Sequence, residues 1–420
     1  MPKVAYIANQ FPSPVEPYVM EEIRELQGRG VRVVSCSVRR PDRELDSQLI
    51  SFASTTLYLL PLRLDCAIQA TILGWRRRSL LSPLLRAALG EGNQPVKRRL
   101  RALAHTWMGA YYAVLLKDRE VEHIHAHHGY FASWIAMTAA RLLGITFSLT
   151  LHGSDLLLQP SYLDTKLEHC KFCLTVSEFN RSHILQRYRT IDPDKILIRR
   201  MGAAPTQKEF AVAPRTGTRV VILSVGRLHA VKDHAFLIRA CRRLKRAGTG
   251  FICLIAGEGP ERVRLERLIC DLELQNEVQL LGHVPRSRLD AFYAACDLVV
   301  LTSRSEGIPL ALMEAMSYGR VVLAPDITGI PELVKDGETG FLYRPGSLAD
   351  FVAKIQVIAN LQTSSSGPLR RAARRHVLEH FNRDKNLARF GETFLALIDS
   401  TAESRPRENH ENSVLQQVQL

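Results

Sequence analysis

The sequence predicts an α/β protein of two doubly wound parallel sheets facing each other across a cleft. Three observations carry this. At 420 residues the chain is about two to three times a common single-domain length. Its first half alternates short apolar runs with helical stretches. Its second half then restarts that alternation. Strands separated by helices imply parallel sheets covered on both faces. With 46% apolar and 23% charged residues, the chain is not disordered, collagen-like or a disulfide scaffold.

In order, KVAYIAN reads as a strand, a Pro-rich turn follows, and a helix runs from about Val15 to Arg29. Gly30 suits its stop ahead of the strand VRVVSCSV. HIHAHH, ITFSLTLHG and CLTVS are further strands, with a helix over Tyr130 to Leu143 between the first two. The linker is AAPTQKEFAVAPRTGT, rich in Pro, Ala and Thr. Beyond it RVVILSVG, FICLIAG, VQLLG, DLVVLTS and VVLAPD are strand-like, each followed by a turn and a helical segment. The expected domains are therefore 1–205 and 206–385. A helix over 386–402 is expected to return to the first domain, ahead of a polar tail at 403–420 that has too little apolar content to pack. Ser364 to Gly367 reads as a flexible loop.

Eight cysteines, most inside apolar segments (Cys253, Cys270, Cys296), read as reduced buried thiols of a cytoplasmic chain. Cys170 and Cys173 form a lone CxxC that fits a helix face better than a metal or redox site. The apolar run at the N-terminus is too short for a signal peptide. Thr55 to Trp75 is broken by Pro61, Arg63 and Asp65, whereas a spanning helix needs roughly 20 mostly apolar residues.

The net charge is +14, with a pI near 9.6. Half of that excess lies in residues 63–101, where nine basic residues face two acids and Trp75 and several leucines are interleaved. Such a segment suits an anionic membrane surface, holding the protein peripherally on the cytoplasmic face. A solvated helix pair is the plainer alternative. No nucleic-acid-binding motif accompanies the charge, so nucleic acid is not an expected partner.

Strand ends carry the chemistry. At SVGRLHAVKDH, Gly226 closes a strand and two cations, Arg227 and Lys232, follow ahead of a helix. That is a natural seat for a pyrophosphate. In LIAGEGPERVRLE, Gly257 and Gly259 would let a ligand approach the backbone, but Arg262 stands where a dinucleotide fingerprint needs its third glycine. SRSEGIPLALMEAMSYG places Glu306 before a helix that carries Glu314. Eight helical residues advance roughly 12 Å, against about 5 to 9.5 Å between glycosidase carboxyls. Two separate acceptors on one long ligand fit that spacing better. In the first half, LTLHGSD ends a strand with His152 and Asp155, both expected in the cleft. His123, His125 and His127 share one strand face, with His127 the one expected to see the cleft. Nothing with ligand spacing completes a metal site, and none is expected.

Together these residues resemble the large retaining glycosyltransferase family 4, of the GT-B fold with two Rossmann-like domains. Glu306 and Glu314, the Gly226-Arg227-Leu228 element with Lys232, GEGP, LGHVP and HGSD occur in the family's order, from KVAYIAN to GETGFLYRPGS. The opening SPVEPYVMEEIREL and HIHAHH are similar to bacterial exopolysaccharide enzymes of colanic-acid type, with Val15-Glu16-Pro17-Tyr18 where Ser-Glu-Thr-Phe is usual. MGAAP (201–205) departs from the family's Gly-Val-Asp.

The resemblance implies sugar transfer from a nucleotide-diphosphate sugar to a hydroxyl of a glycan or lipid-linked acceptor, without metal or cofactor. Arg227 and Lys232 would hold the diphosphate, and Glu314 the ribose. Glu306 would hold the donor sugar, beside the backbone of Gly307 and Ile308. Gly226, Gly257, Gly259 and His283 would border the nucleotide. His152 would reach the donor sugar, with Glu16, His127 and Asp155 on the acceptor side. His152, Arg227, Lys232 and Glu306 would be the catalytic set. No covalent nucleophile stands out, so the resemblance implies same-face displacement in which the leaving phosphate takes the acceptor's proton. A nucleotide-sugar 2-epimerase, a phosphorylase, or a silent sugar-nucleotide binding protein are the alternatives.

Overall fold

The computed structural model describes residues 1–13, 16–41, 47–90, 95–158, 160–205, 219–361 and 363–399. Most of the linker and the polar tail lie outside them.

Thirteen strands are described. Those of the first half are β1 (Lys3–Gln10), β2 (Arg32–Arg39), β3 (Leu57–Tyr58), β4 (His123–His127), β5 (Thr146–Leu151), β6 (Phe172–Thr175) and β7 (Ile196–Ile198). The second half supplies β8 (Val220–Val225), β9 (Phe251–Ala256), β10 (Val278–Gly282), β11 (Leu298–Val300), β12 (Val321–Pro325) and β13 (Phe341–Tyr343). They form two parallel sheets, in the orders β3-β2-β1-β4-β5-β6-β7 and β10-β9-β8-β11-β12-β13. This is the GT-B architecture. In each sheet the strand order reverses beside the first strand, at β1/β4 and at β8/β11. Ligands of open α/β sheets sit at that reversal, beyond the carboxyl ends of the strands.

Helices cover both faces, so strands such as β4 and β12 are buried along their whole length. The first helix, Pro17–Gly28, begins two residues later than the sequence suggests and stops ahead of Gly30, whose φ of 87° needs no Cβ. Its inward stripe is Val19, Glu22, Ile23 and Leu26, a charged residue among apolar ones. Helix Arg383–Asp399 brings Phe390, Phe394 and Ile398 against Val4, Tyr6, Phe172 and Leu174 of the first sheet.

Three expectations are corrected. Ser364 to Gly367 is part of helix Thr363–His380, because Ala373 and Val377, one turn apart and fully buried, anchor that helix on the second core. Cys170 follows helix Leu163–His169 while Cys173 lies in β6, so this CxxC spans a helix–strand junction. Cys270, on the last turn of helix Arg262–Asp271, is exposed; the other seven cysteines are buried, and all eight are free thiols. At the departure from Gly-Val-Asp, main chain makes the contacts: Ala203 N–H donates to Phe381 O and Arg383 N–H to Ala203 O, both at 3.0 Å.

Candidate active site

The wall built from the second sheet consists of strand-end loops. Gly226 and Arg227 leave β8, and Gly257 leaves β9 directly against them: a Cβ on Gly257 would stand 1.9 Å from the Gly226 carbonyl oxygen. Only glycine lets the two turns nest main chain to main chain. Lys232 ends a short 3-10 turn, Ala230–Lys232, and its Nζ lies 2.5 Å from Glu306 Oε1. Glu306 sits in the loop between β11 and helix Leu310–Ser317. Glu314, on that helix, accepts from Tyr293 Oη at 3.0 Å and pairs with Arg286 Nη2 at 2.8 Å. Burial raises the Glu314 carboxyl above its usual range despite Arg286 and Tyr293. The partners Arg286 and Tyr293 were not anticipated from sequence.

The opposite wall is built differently. The rings of His123 and His125 bond to Thr146, Ser148 and Thr150 on the neighbouring strand β5, at 2.6 to 3.0 Å. His127 continues that face and is fully buried, which corrects its expected cleft position. Its Nε2 lies 2.9 Å from Glu22 Oε2 and its Nδ1 3.2 Å from His152 Nε2. Glu22 also stands 3.1 Å from Arg199 Nη1 in an ion pair lacking hydrogen-bond alignment. Burial would raise the Glu22 carboxyl, but Arg199 and His127 bring it down to about 2.

The residue that faces the cleft from this strand is His128. Its left-handed backbone (φ 68°) breaks the strand alternation and turns the ring outward. His128 Nε2 lies 3.1 Å from Glu16 Oε1 and 3.3 Å from Tyr18 Oη. Burial opposes its charge, but Glu16 and Asp155 raise its pKa to about 10. Asp155 is also corrected: it is fully buried beneath the loop and touches no cleft space. It accepts from the backbone N–H groups of Gly129 and Gly153 at 2.8 Å and of His152 at 3.1 Å. Burial would raise its pKa, yet His128 and these donors hold it well below the usual carboxylate range. Asp155 therefore positions the His152 loop.

Between the walls lies a cavity of about 400 Å³. It gathers Glu16 and His152 from the first half with Gly226, Arg227, Lys232, Gly257, His283, Glu306, Gly307, Ile308 and Glu314 from the second. Eleven sequence-selected residues thus share one space, while His127, Asp155 and Gly259 lie outside its lining. Gly259 instead packs on Leu228, where a Cβ would stand 2.4 Å from the carbonyl oxygen. Sequence reading missed Tyr18, His128 and Ser154 in the lining. The Tyr18 ring lies 4.5 Å from the His152 ring, tilted by 34°, in the very tetrapeptide that departs from Ser-Glu-Thr-Phe. At one edge the two halves meet main chain to main chain: a Cβ on Gly307 would stand 1.9 Å from His152 O, and one on Gly153 2.7 Å from Gly307 N.

Glu22, His125 and His127 also place a carboxylate and two imidazoles within 4.8 Å of one another. The missing carboxylate is thus supplied by a helix remote in sequence. Its oxygens already face His127 and Arg199, and His125 is bonded to Ser148 and Thr150. The cluster is a buried polar core in which Glu22 Oε1 and Arg199 Nη1 face each other without a hydrogen bond.

Residues 15–202 match the family model described as Glycosyltransferase Family 4, and residues 205–376 the model described as Glycosyl transferases group 1. Each half thus matches a model of glycosyltransferases. WcaL of Escherichia coli, named for colanic acid biosynthesis, and AmsK of Erwinia amylovora, named for amylovoran biosynthesis, are each 33% identical over 195 residues. Those matches span 45% of this chain and 48% of either relative, so the chain covers about half the length of these curated relatives. Alpha-D-kanosaminyltransferase of Streptomyces kanamyceticus is 24% identical over 367 residues, 79% of this chain and 88% of that protein. Among solved structures, sucrose-phosphate synthase of Thermosynechococcus elongatus superposes with a TM-score of 0.72 at 17% identity, covering 95% of this chain and 100% of that one. Anabaena HepE in complex with UDP-glucose superposes at 0.67 and 18% identity, covering 94% and 99%. At these identities the superpositions speak for the fold.

Proposed function

We propose that the protein is a retaining glycosyltransferase. It moves a sugar from a nucleotide-diphosphate sugar to a hydroxyl of a glycan or lipid-linked acceptor, in the biosynthesis of a bacterial cell-surface polysaccharide. The observation that carries this reading is the pairing of Lys232 with Glu306, beside Arg227, at the carboxyl ends of the strands. A diphosphate entering there takes the ammonium from Glu306, and the carboxylate is released to accept from sugar hydroxyls. Glu314 receives the ribose hydroxyls, and Gly257 leaves the backbone bare for the nucleotide. Charge develops on the diphosphate as the anomeric C–O bond breaks, and fixed cations stabilise it more than they stabilise the ground state. The acceptor oxygen bonds to the same face of the anomeric carbon, and its proton passes to the departing phosphate oxygen. The reading calls for no metal or cofactor.

A thermal-shift panel of nucleoside diphosphates and their sugars, followed by transfer assays with the stabilising donor, tests it. Stabilisation followed by glycoside formation with retained configuration is the expected result. Epimerised sugar, or binding without turnover across acceptors, would overturn it. Glu314→Ala should weaken donor binding before it affects anything else.

The same reading places the protein at the cytoplasmic face of an anionic membrane. Helix Leu64–Arg76 exposes Leu64, Ile68, Ile72 and Trp75, at helical spacing on a single stripe, with Trp75 still 68% exposed. Arg76, Arg77 and Arg78 close that stripe, and the Arg78 guanidinium lies 5.3 Å from the Trp75 ring centre. Apolar residues rimmed by arginines suit lipid acyl chains beneath anionic headgroups. No described helix is long and apolar enough to cross a membrane. Replacing Arg76, Arg77 and Arg78 by Gln should cut co-sedimentation with anionic vesicles; unchanged pelleting would remove this part of the proposal.

A further inference from the structure

The first-half wall of the cleft carries a carboxylate with one oxygen held and the other open. Glu16 stands just ahead of helix Pro17–Gly28. Its N–H donates to Ser13 O and its carbonyl accepts from Val19 N–H, both at 3.3 Å, so the main chain fixes its place. His128 Nε2 donates to its Oε1 at 3.1 Å. Among the described residues nothing donates to Oε2, which is open to solvent on a side chain that lines the cavity.

His128 is itself clamped. Its Nδ1 faces Asp155 Oδ2 at 3.6 Å, an ion-pair distance, and Tyr18 Oη stands 3.3 Å from its Nε2. Three backbone N–H groups hold Asp155 in turn. Asp155, His128 and Glu16 are thus a row of two carboxylates about one imidazolium, anchored at its buried end. Burial would raise the Glu16 carboxyl, but His128, with His127 and Arg227, holds it below its ordinary range. Such a carboxylate is ionised at pH 7 and a poor base, since an effective general base has a pKa near the working pH. It suits accepting a hydrogen bond from a hydroxyl, not removing the proton. Because Arg227 acts on Glu16 across the cleft, the carboxylate lies beside the proposed diphosphate seat.

The surrounding charges select against an anion. Of the acids lining the cavity, Glu258 and Glu314 are matched by Arg262 and Arg286. In the proposed donor complex Lys232 and Arg227 turn to the diphosphate, which leaves Glu306 without its cation. On the facing wall Glu16 and Asp155 share His128. A further anion between the walls meets like charge on both sides, a costly juxtaposition. An uncharged sugar meets hydrogen-bond acceptors instead, and the Tyr18 and His152 rings of the same wall offer flat faces to its C–H groups.

We propose that Glu16 anchors the acceptor, accepting through Oε2 from a hydroxyl of an uncharged sugar, and that His128 is the positioning residue that holds the carboxylate for it. The inference rests on the glycosyltransferase reading and names the substrate class at its acceptor side: a sugar without charge at its reacting end.

The test uses the full chain saturated with whichever of UDP or GDP stabilises it. Methyl glycosides of glucose, galactose and mannose, each beside its matching methyl uronide, are titrated by saturation-transfer NMR. At least one glycoside should bind, and its uronide at least about tenfold more weakly. Glu16→Gln should weaken that glycoside and narrow the preference to within about threefold. His128→Leu removes the donor to Glu16 and should weaken the glycoside about tenfold, whereas His128→Gln, whose amide still donates, should recover most of the affinity. Failure of every glycoside to bind, equal affinity for a uronide, a preference unchanged in Glu16→Gln, or His128→Gln behaving as His128→Leu would each overturn the proposal. Nucleotide affinity, read in the same samples, reports on the donor side separately. If it holds in the variants while glycosides fail in the wild type, the anchor falls and the donor cleft stands; if no nucleotide binds, both fall.

Discussion

The two walls of the cleft hold their charges in opposite ways. Behind the first wall one ion-pair cluster is sealed, with the His127 and Glu22 side chains 0% exposed and Arg199 only 5%, while the Glu16–His128 pair at its surface is 28% and 10% exposed. In the second half the pairs stand partly in solvent, with Lys232 and Glu306 at 21% and 12% exposed and Arg286 and Glu314 at 48% and 16%. A sealed pair cannot exchange its partner for a ligand, and removing one member strands a buried charge. A partly exposed pair contributes less to stability, and its members can exchange each other for a ligand group, as the proposed diphosphate or sugar would require. One wall is therefore a fixed scaffold for His152 and His128, and the other is a set of provisional contacts awaiting substrate.

Substitutions break or sharpen this contrast. The largest effect is expected on turnover: Lys232→Ala or Arg227→Ala should lower kcat about 10²-fold or more, the scale of losing one preorganised charge contact, with an unfolding midpoint near that of the wild type. Near-normal rates in steady-state assays would refute the diphosphate assignment. Next, Glu22→Leu should cost about 3–5 kcal/mol in denaturant unfolding, since it leaves Arg199 buried without its counter-charge. Glu306→Gln should cost under about 1 kcal/mol. Equal costs for the two would erase the distinction between the walls.

The smallest effect concerns pH. His128 is raised from 6.5 to about 10, so its stabilising contribution is fully present below pH 6.5 and is lost as pH rises through 10. Glu16 and Asp155 are lowered, so theirs is present above their ordinary values and is lost on acidification. The melting temperature should fall at both extremes. The alkaline fall should be about 2–4 °C smaller in His128→Gln, the scale of about 1 kcal/mol in a domain of some 200 residues. An unchanged alkaline limb would show that His128 carries no such charge.

Much of the second wall was legible in the sequence because its residues lie in short loops at strand ends. There a glycine, a cation or a carboxylate sits close in sequence to the turn that aims it, as with Gly226, Lys232 and Glu306. The first wall was less legible. Alternation along β4 places His127 with His123 and His125, and that face proved to be the core. His128 reaches the cleft through one left-handed residue that no pattern of residue types announces. Glu22 did leave a signal, as a charge on the apolar stripe of its helix, but its partners His127 and Arg199 lie over a hundred residues away and only the fold brings them together. Arg286 and Tyr293 meet Glu314 across two helices for the same reason.

The seam at Gly153 and Gly307 sets how closely the two halves approach. With no side chain between them, the main chains of the two halves abut there, and a Cβ on either glycine would meet the opposite backbone within 2.7 Å. A single methyl at Gly307 would act as a doorstop: standing 1.9 Å from His152 O, it would force the two halves apart at this seam.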